Sequence, residues 1–146
     1  MNKHLAMNLQ PLLVAALLTA TPALALADTQ RWAGDGFVVT ATTVDQPVAG
    51  ATVEVGLVVT AAGGYKVNDE YPIAVEIAAP ADVGVAKAKL GRADATIRGD
   101  RATFQLALTP TAAGAKRIGL KLKFALCTDT TCEPRKHAVE LKLDVK

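Results

Sequence analysis

Two runs of strictly alternating apolar and polar residues near the end of the chain constrain its fold more than any other feature. Apolar side chains occupy every second position in both runs: Ile118, Leu120, Leu122, Phe124 and Leu126, then Val139, Leu141, Leu143 and Val145. A β-strand places successive side chains on opposite faces, so each run predicts a strand with one buried and one solvated face. These two are the clearest predicted strands of the chain.

Shorter stretches of the same character precede this pair. They are β-branched or alternating segments at residues 37–42, 51–60, 71–77, 83–87, 93–98 and 101–108. Turn-forming residues separate them, among them Gly63-Gly64, Ala79-Pro80 and Gly99-Asp100. About seven or eight short strands without an amphipathic helix predict an all-β fold, an immunoglobulin-like antiparallel β-sandwich. Residues 28–36 are expected to form a flexible lead-in, with Trp32 folded back onto the sandwich.

Residues 1–27 have the pattern of an export signal. Lys3 and His4 make a basic start, residues 12–18 are an apolar run, and Ala25-Leu26-Ala27 has the small-x-small pattern that signal peptidase accepts. The apolar run is well short of the roughly 20 residues that a membrane-spanning helix needs. We therefore expect a signal peptide cleaved after Ala27 and a periplasmic mature domain of residues 28–146, without membrane insertion.

Composition excludes several classes of function. The chain has 16 Lys and Arg against 14 Asp and Glu, without blocks of like charge, which argues against nucleic acid or an anionic membrane as a partner. It contains no serine, which excludes a Ser-His-Asp mechanism. No glycine-rich loop leads into a helix, so a phosphate-binding loop is not indicated. Arg98-Gly99-Asp100 spells an adhesion tripeptide, but Gly-Asp between two strands is typical of a hairpin turn.

The two cysteines are the remaining candidates for chemistry. Cys127 and Cys132 stand four residues apart and join the two clearest strands. The ends of a tight hairpin bring Cα atoms within about 4.5–5.5 Å, and an exported protein lies where a disulfide persists, so the pair is expected to be bonded. Cys127 follows Leu126, which places it on the polar face, away from the core. A sulfur at such a loop edge is open to attack by a partner thiolate.

The residues alone leave three roles open for this pair. A structural disulfide across so short a loop would stabilise the fold by only about 2 kcal/mol. A redox-active disulfide would exchange with partner proteins. The spacing C-x4-C-x4-H with His137 could also make a three-ligand site for copper or zinc, although no fourth ligand is evident.

Taken together, these features make the chain resemble the periplasmic N-terminal domain of the DsbD-type thiol:disulfide interchange proteins. The similar features occur in the family's order over residues 64–146: Gly64-Tyr65-Lys66-Val67-Asn68, a strand and Pro80, Asp100-Arg101 entering a strand, the Ala113-Gly114-Ala115 turn, and Cys127 and Cys132 followed by Glu133-Pro134.

The resemblance implies an immunoglobulin-like sandwich whose disulfide passes electrons between periplasmic thiol and disulfide proteins. Cys127 and Cys132 would be the catalytic residues of a thiol-disulfide oxidoreductase, with Cys132 attacked first. No bound cofactor and no metal are expected. The family's membrane electron-transfer domain does not occur within these residues. Either a separate membrane electron-transfer protein is the partner that reduces the disulfide, or the chain has kept the fold as a binding or structural module and lost the electron relay.

The sequence departs from the family at two places. The family usually has five residues between its cysteines, and this chain has four. Family members cover the disulfide with a cap loop that carries an aromatic residue, whereas the corresponding residues 87–95 offer Leu90, Gly91 and Asp94 but no aromatic. Tyr65 and Tyr71 could shield the sulfurs instead, or pack in the core or at its rim.

Overall fold

The computed structural model describes residues 27–146, and the predicted signal peptide lies outside them except for Ala27. The described residues form eleven strands in chain order: β1 (Asp28–Gly34), β2 (Phe37–Thr43), β3 (Val53–Ala61), β4 (Lys66–Val67), β5 (Ala74–Ala78), β6 (Val83–Val85), β7 (Lys89–Leu90), β8 (Thr96–Arg98), β9 (Arg101–Pro110), β10 (Gly114–Cys127) and β11 (Cys132–Val145). A single 3₁₀ turn, Arg92–Asp94, lies between β7 and β8. No helix in this part of the chain is long and apolar enough to cross a membrane.

The strands make two antiparallel sheets packed face to face. One sheet has the order β1-β2-β3-β9-β6 with β8 also paired to β9, and the other has the order β11-β10-β5-β7 with β4 also paired to β10. The all-β, immunoglobulin-like antiparallel sandwich predicted from the alternation is confirmed. Three strands were not predicted. β4 and β7 have two residues each, too few to produce a periodic pattern, and the third is the seven-residue β1.

The core fills the space between the sheets. The largest fully buried side chains come from both sheets, including Leu57 and Phe104 from one and Leu120, Phe124 and Leu141 from the other. Each such side chain contributes roughly 1.5–3 kcal/mol when it is removed from water. The alternating residues of β10 and β11 point inward as predicted, which orients both strands and leaves their other face outside.

The prediction of a flexible lead-in at residues 28–36 is wrong. β1 pairs with β2 along its whole length, from Asp28 opposite Thr43 to Gly34 opposite Phe37. Trp32 does pack against the core. Most other β1 side chains are exposed, so this strand has no hydrophobic alternation by which sequence could identify it.

Candidate redox site

The two cysteines form a disulfide at the tip of the β10–β11 hairpin, as the sequence predicts. Cys127 and Cys132 are direct cross-strand partners, and their Cα atoms lie 4.0 Å apart. The next pair towards the loop is hydrogen-bonded, since Thr128 N donates to Thr131 O at 2.8 Å. The cysteines therefore occupy a non-hydrogen-bonded position of the ladder, where antiparallel strands approach most closely.

The hairpin loop is closed by its own hydrogen bonds. Thr128 Oγ1 accepts from the backbone N–H groups of Thr130 at 3.4 Å and Thr131 at 3.2 Å. Hydroxyl side chains commonly close tight turns in this way. These bonds close the loop without involving either sulfur.

The disulfide lies on the outer face of its sheet. Cys127 follows the outward positions Lys121, Lys123 and Ala125 on β10, so the predicted direction of its side chain agrees with the burial pattern. Cys132 is exposed and Cys127 is half-buried. The sulfur of Cys132 is therefore the more accessible of the two to another molecule.

Residues 68–72, here called the 68–72 segment, cover the outer face beside Cys127. Ala125 faces outward and is nevertheless only 1% exposed. Asn68 N donates to Ala125 O at 3.0 Å, which holds the start of the segment against β10. Sequence reasoning predicted a strand from residue 71, but β5 starts at Ala74 because this segment turns first.

Asn68 connects the 68–72 segment to the disulfide. Its Nδ2 donates to Cys127 Sγ at 2.9 Å and to Cys132 Sγ at 3.4 Å. Its Oδ1 accepts from Glu70 N at 2.7 Å and Tyr71 N at 2.8 Å. Sequence reasoning missed this residue as part of the site. Asn before Asp-Glu signals a turn, but nothing local reveals a contact with sulfurs 59 and 64 positions away.

Residues 87–95, which correspond to the family's cap loop, support the 68–72 segment in this chain. Leu90 is buried in the core, and Arg92 Nε donates to Asp69 O at 3.1 Å. The Asp94 carboxylate accepts hydrogen bonds from Gly91 N and from Lys87 Nζ, both at 2.8 Å. These bonds lower the pKa of the Asp94 carboxyl, and the bond from Gly91 has the larger effect. Residues 87–95 thus contact the 68–72 segment, and it is Asn68 of that segment whose side chain reaches the sulfurs.

The two tyrosine rings lie against different parts of the sandwich. Tyr65 packs against the core, and the Arg135 guanidinium lies 6.0 Å from its ring centroid. Tyr71 lies beneath Lys123, whose Nζ is 5.9 Å from the ring centroid. Tyr65 is therefore a core-packing residue, whereas Tyr71 lies with Lys123 on the outer face of the sheet.

His137 is not brought to the cysteines. It stands opposite Leu122 and contacts Phe37 edge to face, with ring centroids 5.0 Å apart. Five residues of extended strand separate it from Cys132, which is about 17 Å. Within residues 27–146, no three His, Cys, Asp or Glu side chains are grouped so as to hold a metal ion. The C-x4-C-x4-H spacing therefore does not correspond to a metal site in this fold.

A basic groove runs along the same outer face, away from the loop. Its lining includes Lys89, Lys121, Lys123 and Lys136, with Glu76 as the acidic residue, and its volume is about 640 Å³. Lys123 and Lys136 are cross-strand partners four positions from the disulfide along β10. The positive charge of this groove thus lies along the sheet from the disulfide.

Fold and site together define an immunoglobulin-like sandwich with a disulfide on its outer face. No family model matches the chain, and no curated protein matches it. Among solved structures, the GAE domain of GGA2p from Saccharomyces cerevisiae is similar at 9% identity and a TM-score of 0.47, over 78% of this chain and 97% of that one. AggA, the major subunit of aggregative adherence fimbriae type I from Escherichia coli, is similar at 12% identity and a TM-score of 0.40, over 80% of this chain and 99% of that one. Neither likeness bears on function.

Proposed function

We propose that this protein is a periplasmic thiol:disulfide interchange domain whose Cys127–Cys132 disulfide passes electrons between partner proteins. The observation that carries the proposal is the position of the disulfide: it lies outside the core, at a hairpin tip, with Cys132 exposed. Exchange requires attack by a thiolate on an accessible sulfur.

A purely structural role explains this position less well. β10 and β11 pair along all fourteen residues of each strand, so the hairpin is already held by its ladder. A disulfide that closes so short a loop adds only about 2 kcal/mol in the chain-entropy model. Its sulfurs also contribute nothing to the core between the sheets.

The reaction is a two-step exchange with a partner dithiol. A partner thiolate attacks Cys132 Sγ, a new disulfide forms between them, and the Cys127–Cys132 bond breaks with its electron pair on Cys127. The partner's second thiolate then attacks the partner sulfur of the mixed disulfide and releases Cys132. The partner dithiol becomes a disulfide, and the domain gains two electrons and, on protonation, two protons. The reverse sequence delivers those electrons to the next partner disulfide.

The test is the reduction potential of the pair, measured by equilibrating the purified protein with glutathione buffers. A potential above about −250 mV is expected, within the range of disulfides that exchange. A potential below about −300 mV is typical of a structural disulfide and would reject the proposal.

Trapping gives a second and independent readout. Cys127→Ser leaves Cys132 without a resolving thiol, so mixed disulfides with a small aromatic disulfide should accumulate on Cys132. Cys132→Ser is the matched control, and at a pH where both thiols are ionised its half-buried Cys127 should react more slowly. Equal rates in the two variants would contradict the proposed order of attack.

A further inference from the structure

The side-chain amide of Asn68 has a fixed orientation. Its Oδ1 accepts two backbone hydrogen bonds, from Glu70 N and Tyr71 N. An amide oxygen held by two N–H donors cannot exchange places with the NH₂ group without losing both bonds. The NH₂ group is thereby directed at the sulfurs of the disulfide.

The sulfurs that accept hydrogen bonds from this NH₂ group are weak acceptors in the disulfide and strong acceptors as thiolates. Neutral sulfur is a poor hydrogen-bond acceptor. A thiolate carries a full negative charge, and hydrogen bonds to ionised acceptors are roughly twice as strong as neutral ones. Asn68 therefore interacts more favourably with a thiolate than with the disulfide that it contacts here.

We propose that Asn68 is the third member of the redox site, and that its Nδ2–H group stabilises the thiolate that leaves from Cys127 when Cys132 is attacked. This inference rests on the exchange function proposed above. The bond from Nδ2 is shorter to Cys127 Sγ, at 2.9 Å, than to Cys132 Sγ, at 3.4 Å. The sulfur nearer the donor is the half-buried one, and the sulfur farther from it is the exposed one.

This asymmetry matches the electron flow of the first step. The attacking thiolate bonds to Cys132 Sγ, the Cys127–Cys132 bond breaks, and the electron pair goes to Cys127 Sγ. A leaving thiol with a lower pKa departs faster. A donor placed on Cys127 therefore accelerates attack at Cys132 in preference to attack at Cys127.

Charged groups of both signs surround the pair. Lys66 on β4 is the cross-strand partner of Cys127, Asp69 and Glu70 follow Asn68, and Asp129 and Glu133 belong to the hairpin. The positive and negative neighbours act on a thiolate in opposite directions. Of these residues, Asn68 is the one whose side chain donates to the sulfurs.

The test compares the pKa of the Cys127 thiol in two variants at residue 68, each in a Cys132→Ala background. Asn68→Asp keeps an oxygen for the two backbone donors, loses the NH₂ group and adds a negative charge. Asn68→Ser keeps a hydroxyl for the same turn, is neutral, and is too short to reach the sulfur. The pKa is followed by the ultraviolet absorbance of the thiolate.

We expect Asn68→Ser to raise the Cys127 pKa by roughly one unit and Asn68→Asp to raise it further, since hydrogen bonding to the charged form favours that form. Thr130→Asp, which adds a carboxylate to the exposed hairpin loop, is the control for charge alone and should shift the pKa less than Asn68→Asp. With both cysteines present, Asn68→Ser should slow attack at Cys132 several-fold.

An unchanged Cys127 pKa in both residue-68 variants, with the fold retained by circular dichroism, would overturn the role of Asn68. That result would not decide whether the domain exchanges disulfides with partner proteins. A reduction potential typical of structural disulfides would reject the function, and the pKa comparison would still decide whether Asn68 stabilises the thiolate.

Discussion

At the scale of single residues, the most unusual side chain outside the site is the buried lysine of β10. Lys116 is only 7% exposed, and its ammonium group pairs with Asp82 and also donates to Ala113 O at 3.3 Å. A buried charge is costly unless it is paired and hydrogen-bonded. The hydrogen bond from Lys116 is the main cause that lowers the pKa of the Asp82 carboxyl.

We predict that this pair makes stability depend on acid pH. A carboxyl with a lowered folded-state pKa stabilises the fold above its ordinary, unfolded-state pKa and loses that contribution as pH falls through the lowered value. Asp82→Asn should therefore reduce the free energy of unfolding at pH 7, and the difference from the parent should shrink as the solution becomes more acidic than the ordinary Asp range. Urea unfolding at several pH values measures this, and a pH-independent difference would contradict it.

Single residues also show the limits of prediction from sequence. The outward direction of Cys127 followed from its place after Leu126, because a strand alternates strictly. The contact of Asn68 with the sulfurs could not be predicted. It depends on how two segments 59 positions apart meet in the folded sheet, and periodicity does not report such contacts.

At the scale of elements, the β10–β11 hairpin dominates the structure of the site. Its alternating residues made it predictable, since each strand places one face on the core. β1 could not be predicted in the same way, because an edge strand with exposed side chains is held by backbone pairing to β2 and has no periodic signal. The predicted start of β5 at residue 71 was wrong for a different reason, since turn hydrogen bonds to Asn68 replace the strand there.

The same hairpin predicts that the fold tolerates loss of the disulfide. The double variant Cys127→Ala/Cys132→Ala should remain folded, with a free energy of unfolding lower by about 2 kcal/mol in urea. Neither the ladder nor the Thr128 hydrogen bonds involve the sulfurs, so we expect both to persist in the variant. The reduced parent protein is the control and should unfold near the same midpoint. Global unfolding of the double variant would show that the disulfide is required for the fold.

At the scale of the whole molecule, the two sheets meet along one edge of the sandwich. β1 and β11 are edge strands of different sheets, and the side chain of Gln30 bridges them. Its Nε2 donates to Lys142 O at 2.7 Å and its Oε1 accepts from Lys142 N at 2.9 Å. The Gln30 amide thus forms hydrogen bonds with the backbone N–H and C=O of Lys142, which the edge strand β11 would otherwise leave unpaired. Edge strands with unpaired backbone groups are prone to pair with other chains.

We predict that Gln30→Ala exposes this edge. The loss of two hydrogen bonds should lower the free energy of unfolding by about 1–2 kcal/mol and accelerate hydrogen exchange at the Lys142 amide. Gln105→Ala, at an exposed glutamine of the central strand β9, is the matched control and should leave that amide protected. Unchanged exchange at Lys142 in Gln30→Ala would show that the side chain does not close the edge.

The bridge from Gln30 to Lys142 also bears on the order in which the fold can form. Its two residues are 112 positions apart in the chain, and they belong to β1 and β11, the first and last strands of residues 27–146. Contacts between such distant residues are slow to form. The β2–β3 hairpin can assemble while the ribosome is still adding residues, but the sandwich cannot close until β11 has been made. We therefore expect the edge contact between β1 and β11 to be among the last to form.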